Sequence, residues 1–229
     1  MRCLVILLSL VYSVSGLAIS ADKILERADR IRNPSNSYLM EVEVISSQKT
    51  SLFQVMLQGD DKTLIKTLAP KRDKGRNLLM LGEKMWVYIP NLRRAMRVSL
   101  AQKISGQAAN GDISRMKWGG DYRPEIKSED SKGWTLFLKA KKKGLTYDQL
   151  RIQVAKKTFR PLRAEFLTVS GKVIKSAKYQ GYRQLLGAVR PTRIEIEDAI
   201  RPDLKTIINI KSMKNRSFNA RIFQQKNLK

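Results

Sequence analysis

The chain of 229 residues contains no histidine and only one cysteine, Cys3. Without histidine there is no Ser-His-Asp or Cys-His nucleophile, no imidazole base and no histidine metal site. Once the N-terminus is removed, disulfides, zinc knuckles and thiol nucleophiles are excluded as well. Acidic residues are scarce: 20 Asp+Glu stand against 45 Lys+Arg, a net charge of +25. No apolar run reaches the roughly 18 to 20 residues that a membrane-spanning helix needs. What is present is core material. Hydrophobic residues make up 42% of the chain, so the charge sits on a sequence able to bury a core and not on a disordered basic tail.

Met1-Arg2 is a short positive start, followed by an apolar run from Cys3 to Val14 and then by Ser15, Gly16, Ala18 and Ser20. This is the layout of a secretory signal peptide over residues 1–20, with cleavage expected near residue 18 or 20. The bland alternatives are an uncleaved anchor helix or a buried strand. A lipid-anchored protein needs a cysteine just after its cleavage site, whereas Cys3 precedes the apolar run, so the mature protein is expected to be soluble and periplasmic. Removal of Arg2 would leave a charge of +24. Lack of cysteine in an exported chain argues against a small disulfide-built module and for a larger domain held by its own core. Residues 21–229 show no Gly/Ser-rich or Pro-rich linker and are expected to form one domain.

Ser20 is placed to cap a helix in which Ile24, Leu25, Ala28 and Ile31 recur at helical spacing, and Asn33-Pro34 ends the pattern. Beyond it the period changes to two. Tyr38, Met40, Val42 and Val44 alternate with Leu39, Glu41, Glu43 and Ile45, and similar stretches recur to Ile208 and Ile210. Ser170-Gly171 marks a two-residue hairpin. About eleven short strands result, which predicts a mainly β fold: one antiparallel meander, curled or barrel-like. Leu52-Phe53, Leu78–Leu81 and Ile207-Ile208 carry apolar residues toward both faces. A sheet with one solvated face should alternate cleanly, so either a packed helix or a ligand cavity is expected to cover the second side.

Between residues 91 and 124 the alternation stops. Arg93, Arg94 and Arg97 come first, then Ser99 and Gln102 in capping-box spacing ahead of an expected helix with Leu100 and Ile104 on one face. Asp112 can cap a second turn carrying Ile113 and Met116, and Trp118 closes the segment. So long an interruption inside a domain is usually functional, often a lid; the alternative is a plain connecting helix that completes the core.

Gly82-Glu83-Lys84-Met85-Trp86-Val87-Tyr88-Ile89-Pro90 resembles the Gly-x-x-x-Trp-x-Tyr-x-Pro strand of the bacterial outer-membrane lipoprotein-sorting proteins, the periplasmic lipoprotein carrier family. Pro90–Arg94, Gly106–Asp112 and Asp121-Tyr122 resemble segments of its longer, sorting-protein-like subgroup. The resemblance implies an unclosed antiparallel β-barrel with an N-terminal helix and short helices covering the concave side. It implies a carrier without catalysis or cofactor, acting as a monomer. Such a carrier takes lipid or lipoprotein acyl chains from an inner-membrane transporter, of ABC or resistance-nodulation type, toward an outer-membrane acceptor. Leu100, Ile104, Ile113, Met116 and Trp118 are the expected cavity and lid residues, together with Trp86 and Tyr88, whose alternation with Met85 and Val87 leaves open which pair lines the concavity and which packs outside. Arg93, Arg94 and Arg97 are candidates for a head group or partner, or are surface arginines in a turn. The same module also occurs in envelope-stress regulators that bind an anti-sigma factor, which is the rival reading. An enzyme would need a carboxylate pair, for which Glu195, Glu197 and Asp198 are near one another in sequence only. The basic residues are spread over every strand, which does not fit a nucleic-acid module. Anionic head groups or membranes are the better match.

Overall fold

The computed structural model describes residues 19–34, 37–114 and 117–229. The expected signal segment therefore lies outside the described residues, Ile19 and Ser20 apart, as does Met116. Helix α1 (Ala21–Arg32) starts where expected: the Ser20 hydroxyl accepts from the Lys23 amide at 3.3 Å, and Asn33 ends the helix. Its buried stripe is Ile24, Leu25 and Ala28 joined by Asp29 and Arg32, while Ile31 is only half-buried.

Among the described residues fifteen strands follow: β1 (Tyr38–Ser46), β2 (Thr50–Gln58), β3 (Lys62–Ala69), β4 (Leu78–Leu81), β5 (Lys84–Ile89), β6 (Arg94–Val98), β7 (Lys103–Ser105), β8 (Ala108–Ala109), β9 (Tyr122–Glu129), β10 (Gly133–Ala140), β11 (Gln149–Ala155), β12 (Pro161–Leu167), β13 (Val173–Leu185), β14 (Ala188–Asp198) and β15 (Lys205–Asn215). Thirteen of them form one antiparallel sheet in the order β6-β5-β4-β3-β2-β1-β15-β14-β13-β12-β11-β10-β9, and β7 and β8 form a separate hairpin. The first and last strands meet in the middle, Tyr38 opposite Asn215 through Ser46 opposite Thr206. The sheet is thus two meanders joined at β1–β15, with free edges at β6 and β9. The fold is the unclosed antiparallel barrel expected. Four strands lie beyond the expected eleven: β6 and β9, which are those two edges, and the separate β7–β8 hairpin.

This topology dictates the cover. The chain leaves the sheet at one edge, β6, and must re-enter at the other, β9. Residues 99–114 and 117–121 lie over the inner face on that crossing and carry β7, β8 and helix α2 (Asn110–Ser114). Helix α1 lies on the same side, against β9, β12 and β14. Between cover and sheet lies the main core, with Met40, Val42, Val44, Leu136, Ile152 and Ile196 all nearly inaccessible. The expected helix after Ser99 does not form. Ser99 still accepts from the Gln102 amide, at 3.1 Å, but the turn ends there and the chain enters β7. Leu100 sinks into the core and Ile104 packs against it.

The apolar excess of β2 to β5 has an explanation that differs from both expected ones. A second cluster on the outer face, Met56, Leu64 and Leu79, is covered by Phe223 and Leu228 from the C-terminal segment. That segment folds back in two 3-10 turns, Ala220–Phe223 and Gln225–Asn227, and the Asn77 amide donates to the Lys229 carbonyl. The hairpin near Ser170-Gly171 is a three-residue loop: Thr168 pairs with Lys172, and Gly171 takes a left-handed φ of 82°.

Candidate functional site

The cover is held down by charges. Asp112 of α2 reaches back to the Ala109 amide at 2.8 Å, closing the N-terminus of its own helix. It also accepts from Lys175 Nζ at 2.7 Å and from the Tyr147 hydroxyl at 2.7 Å. Lys175 donates in addition to the Gln107 carbonyl at 2.9 Å. The Lys175 and Asp112 side chains are 8% and 10% exposed, so this pair sits in the low-dielectric interior. Burial, and then the Asp112 carboxylate, push the Tyr147 hydroxyl well above its ordinary pKa, and Tyr147 stays a neutral donor.

A second tie joins the cover to α1. Asp29 accepts from the Trp118 amide at 2.8 Å and from the Gly119 amide, and pairs with Arg32 at 3.3 Å. The Arg32 guanidinium lies 3.5 Å from the Trp118 ring centroid and 5.5 Å from that of Tyr179, a cation–π arrangement that satisfies a buried charge partly by ring faces. Burial pushes the Asp29 carboxyl up, against the opposing pull of Arg32 and the two amides. Helix α1 is itself pinned by Arg190 of β14, which donates to the Arg30 and Ile31 carbonyls at 2.6 and 3.0 Å and so closes its C-terminus.

The glycines of the Gly106–Asp112 segment acquire a reason. Gly106 takes a left-handed φ of 54°, and a Cβ there would lie 2.4 Å from Thr206 Oγ1. The next amide, Gln107, donates to that same hydroxyl at 2.8 Å. At Gly111 a Cβ would fall 1.8 Å from Thr146 Oγ1, so only glycine lets α2 seat against the loop after β10. Gly111→Ala is expected to lift the cover at a cost of about 1–3 kcal/mol, the usual range for overpacking; a urea melt measures it.

Of the expected cavity residues, Leu100, Ile113 and Trp118 of the cover are buried in the main core and Ile104 packs against it. Trp86 and Tyr88 do not. Met85 and Val87 take the inner face, whereas Trp86 and Tyr88 pack outside with the C-terminal cluster, because strand period two sends neighbours to opposite faces. Trp86→Ala is therefore expected to loosen the C-terminal segment, costing about 1–3 kcal/mol in a denaturant melt, and to leave the packing under the cover unchanged.

The three arginines are also dispersed and do not form a mouth. Arg93 sits in the turn before β6 with a left-handed φ of 48°. Arg94 and Arg97 fall on opposite faces of β6, the free edge, with Arg97 over the outer Trp86 ring at 5.2 Å. Glu195 and Glu197 are engaged by Lys205 at 3.7 and 3.0 Å, and Asp198 accepts from the Ile200 and Arg201 amides.

The inner space is nearly full. The voids between cover and sheet measure about 30 Å³, beside Trp118, Tyr147 and Tyr179, and about 10 Å³, beside Ile113 and Ile208. In this conformation the side chains that an acyl chain would touch touch each other. A larger opening of about 180 Å³ lies toward the β2–β6 half, bordered by Lys49, Phe53, Arg76, Leu78 and Lys103. Among the described residues no helix is long and apolar enough to cross a membrane, and no cluster of His, Cys, Asp and Glu could hold a metal ion.

Asp29, Arg32, Asp112 and Lys175 were not singled out from sequence as site residues, though a signal was there. Arg32 falls seven residues after Leu25 on the apolar stripe of α1. Lys175 shares the inward parity of Ala177 and Tyr179. In each case a charge occupies a position that the pattern reserves for a core residue.

A family model described as "Uncharacterized protein" matches residues 59–229. No curated protein matches the chain. Among solved structures, a LolA superfamily protein from Nitrosomonas europaea is 33% identical, with a TM-score of 0.84 over 92% of this chain and 100% of that one. An outer membrane lipoprotein-sorting protein domain from Vibrio parahaemolyticus is 19% identical, with a TM-score of 0.77 over 91% and 97% of the two chains. A DUF1329 family protein from Desulfovibrio piger shares the fold at 20% identity and a TM-score of 0.77, over 91% and 98%. With an unclosed thirteen-stranded sheet, a cover joining its free edges, and that identity over nearly the whole of both chains, the protein belongs to the LolA superfamily.

Proposed function

We propose that this protein is a periplasmic carrier that takes acyl chains of a lipid or lipoprotein under its cover, without catalysis, and moves them from an inner-membrane transporter toward an outer-membrane acceptor. The observation that carries this reading is the construction of the cover. Its inner surface is apolar, yet it is fastened at a few polar points, Asp112–Lys175–Tyr147 and Asp29–Trp118–Gly119. A segment meant only to complete a core gains nothing from buried charges, which cost desolvation and are often no more stable than apolar replacements. Polar fastenings suit a segment that must leave: once released, each group finds water.

The magnitudes are compatible with exchange. Exposing Leu100, Ile113 and Trp118 costs about 1.5–3 kcal/mol each, and shielding an acyl chain of about 14 carbons returns on the order of 10 kcal/mol at about 0.8 kcal/mol per CH₂. The chain replaces the protein's own side chains against the inner face, so an empty carrier is closed and a loaded one open.

The test is gentle purification from a periplasmic extract, organic extraction and mass spectrometry, together with titration of a fluorescent fatty acid. A co-purifying amphiphile and saturable uptake are expected. A protein with neither would end the carrier reading, and recovery of an anti-sigma factor as the main partner in place of lipid would replace it with a regulator.

A further inference from the structure

The opening of about 180 Å³ is built unlike the two inner voids. Its floor is Phe53, Leu78 and Val87 of the inner face with Val98 and Ile104, continuous with the main core. Its rim is charged: Lys49, Asp73, Arg76 and Lys103. Lys49 and Asp73 pair with each other at 2.6 Å, and Lys49, with Arg72 and Arg76 near by, holds the Asp73 carboxyl below its ordinary pKa. Asp73 is thus neutralised by Lys49. Among the described residues Arg76 and Lys103 make no ion pair, although Lys103 acts at longer range on Asp198. One side of the opening is the crossing segment itself, through Gln102, Lys103, Ile104 and Asn110.

We propose that this opening is the seat of an anionic, phosphate-type head group, and that the cargo is a phosphate-bearing amphiphile and not a neutral one. The inference rests on the carrier reading and specifies its substrate class. Arg76 offers a planar fork that matches phosphate oxygens, and Lys103 adds a point charge from the cover. The first carbons of the chain lie on Phe53, Leu78 and Val87, and the remainder follows the inner face as the segment carrying Ile104 lifts. Because Lys103 rides on the cover, an anion bound between it and Arg76 meets the sheet and the cover at once.

The experiment is calorimetric titration, below the micelle concentration, of the mature protein with lysophosphatidylglycerol, with a monoacylglycerol of the same chain, and with glycerol phosphate. The same three are titrated into an R76E/K103E variant; both residues are exposed, and an unchanged melting temperature shows the variant folded. Wild type is expected to prefer lysophosphatidylglycerol over the monoacylglycerol by about tenfold or more, as one or two charge-assisted hydrogen bonds would give. The variant should lose that preference while still binding the monoacylglycerol. Equal affinity of wild type for both amphiphiles would overturn the proposal and leave the carrier reading standing. So would an equal loss for both in the variant, or competition by glycerol phosphate as strong as that by the lysolipid. Binding of neither amphiphile would instead fell the carrier reading itself.

Discussion

Asp112→Asn is expected to destabilise the protein by about 3–5 kcal/mol, the usual cost of breaking a buried pair from one side. The asparagine keeps an acceptor for the Ala109 amide or the Tyr147 hydroxyl. It leaves the Lys175 ammonium, 8% exposed, with the Gln107 carbonyl and the ring faces of Tyr147 and Phe166, 4.9 and 5.1 Å away, as its remaining company. Chemical denaturation of wild type and variant at equal pH measures the loss. The double change Asp112→Leu with Lys175→Met removes both charges and should recover part of the stability, because apolar replacement of a buried pair is often neutral or better, while the Tyr147 hydroxyl, the Ala109 amide and the Gln107 carbonyl lose a partner. The two variants should part company in function. D112N, with its tie weakened, should take up fatty acid faster than wild type, whereas the apolar double variant, with no charge for water to solvate on opening, should take it up more slowly than D112N. Equal uptake rates in all three would show that this pair does not govern the cover.

The second large effect is a covalent lock. Ser51 of β2 and Ser105 of β7 bring their hydroxyl oxygens within 3.1 Å, one on the sheet and the other on the crossing segment, and both are buried. Cysteines at these two sites would hold their sulfurs near the separation from which a disulfide of about 2.05 Å closes. In the mature chain no other cysteine competes if Cys3 is removed with the N-terminus. The oxidised S51C/S105C protein should fold, melt higher than its reduced form, and fail to take up acyl chains; reduction should restore uptake. Undiminished uptake by the oxidised protein would mean that chains reach the inner face without movement of residues 99–121, and the cover would have to be reassigned as fixed core.

Much of the architecture was legible from residue order. Strand periodicity located eleven of the thirteen sheet strands, since a strand buried on one face must alternate. The two it missed, β6 and β9, are the edges, where one side has no neighbour and charges intrude: Arg94 and Arg97 in β6, Glu125, Lys127 and Glu129 in β9. Such residues protect an edge from pairing with another chain and in doing so erase the pattern by which strands are read. The expected helix after Ser99 failed for a related reason. A capping box specifies one turn, and pairing of β7 with β8 took the residues that would have continued it.

Residue order by itself determined the sheet, the N-terminal helix with its cap, the excess of positive charge, and the inventory that rules out histidine and thiol chemistry, because each follows from neighbours in the chain or from simple counting. Tertiary structure alone decided the rest. Which side Trp86 faces depends on which surface the C-terminal segment chooses. The partners of Asp112 and Asp29 lie 63 and 89 residues away along the chain, and the cation-rimmed opening gathers residues from six strands, helix α2 and the turn at Asp73. Electrostatic pairing and cavity shape depend on distance through space, and local pattern carries no measure of that distance.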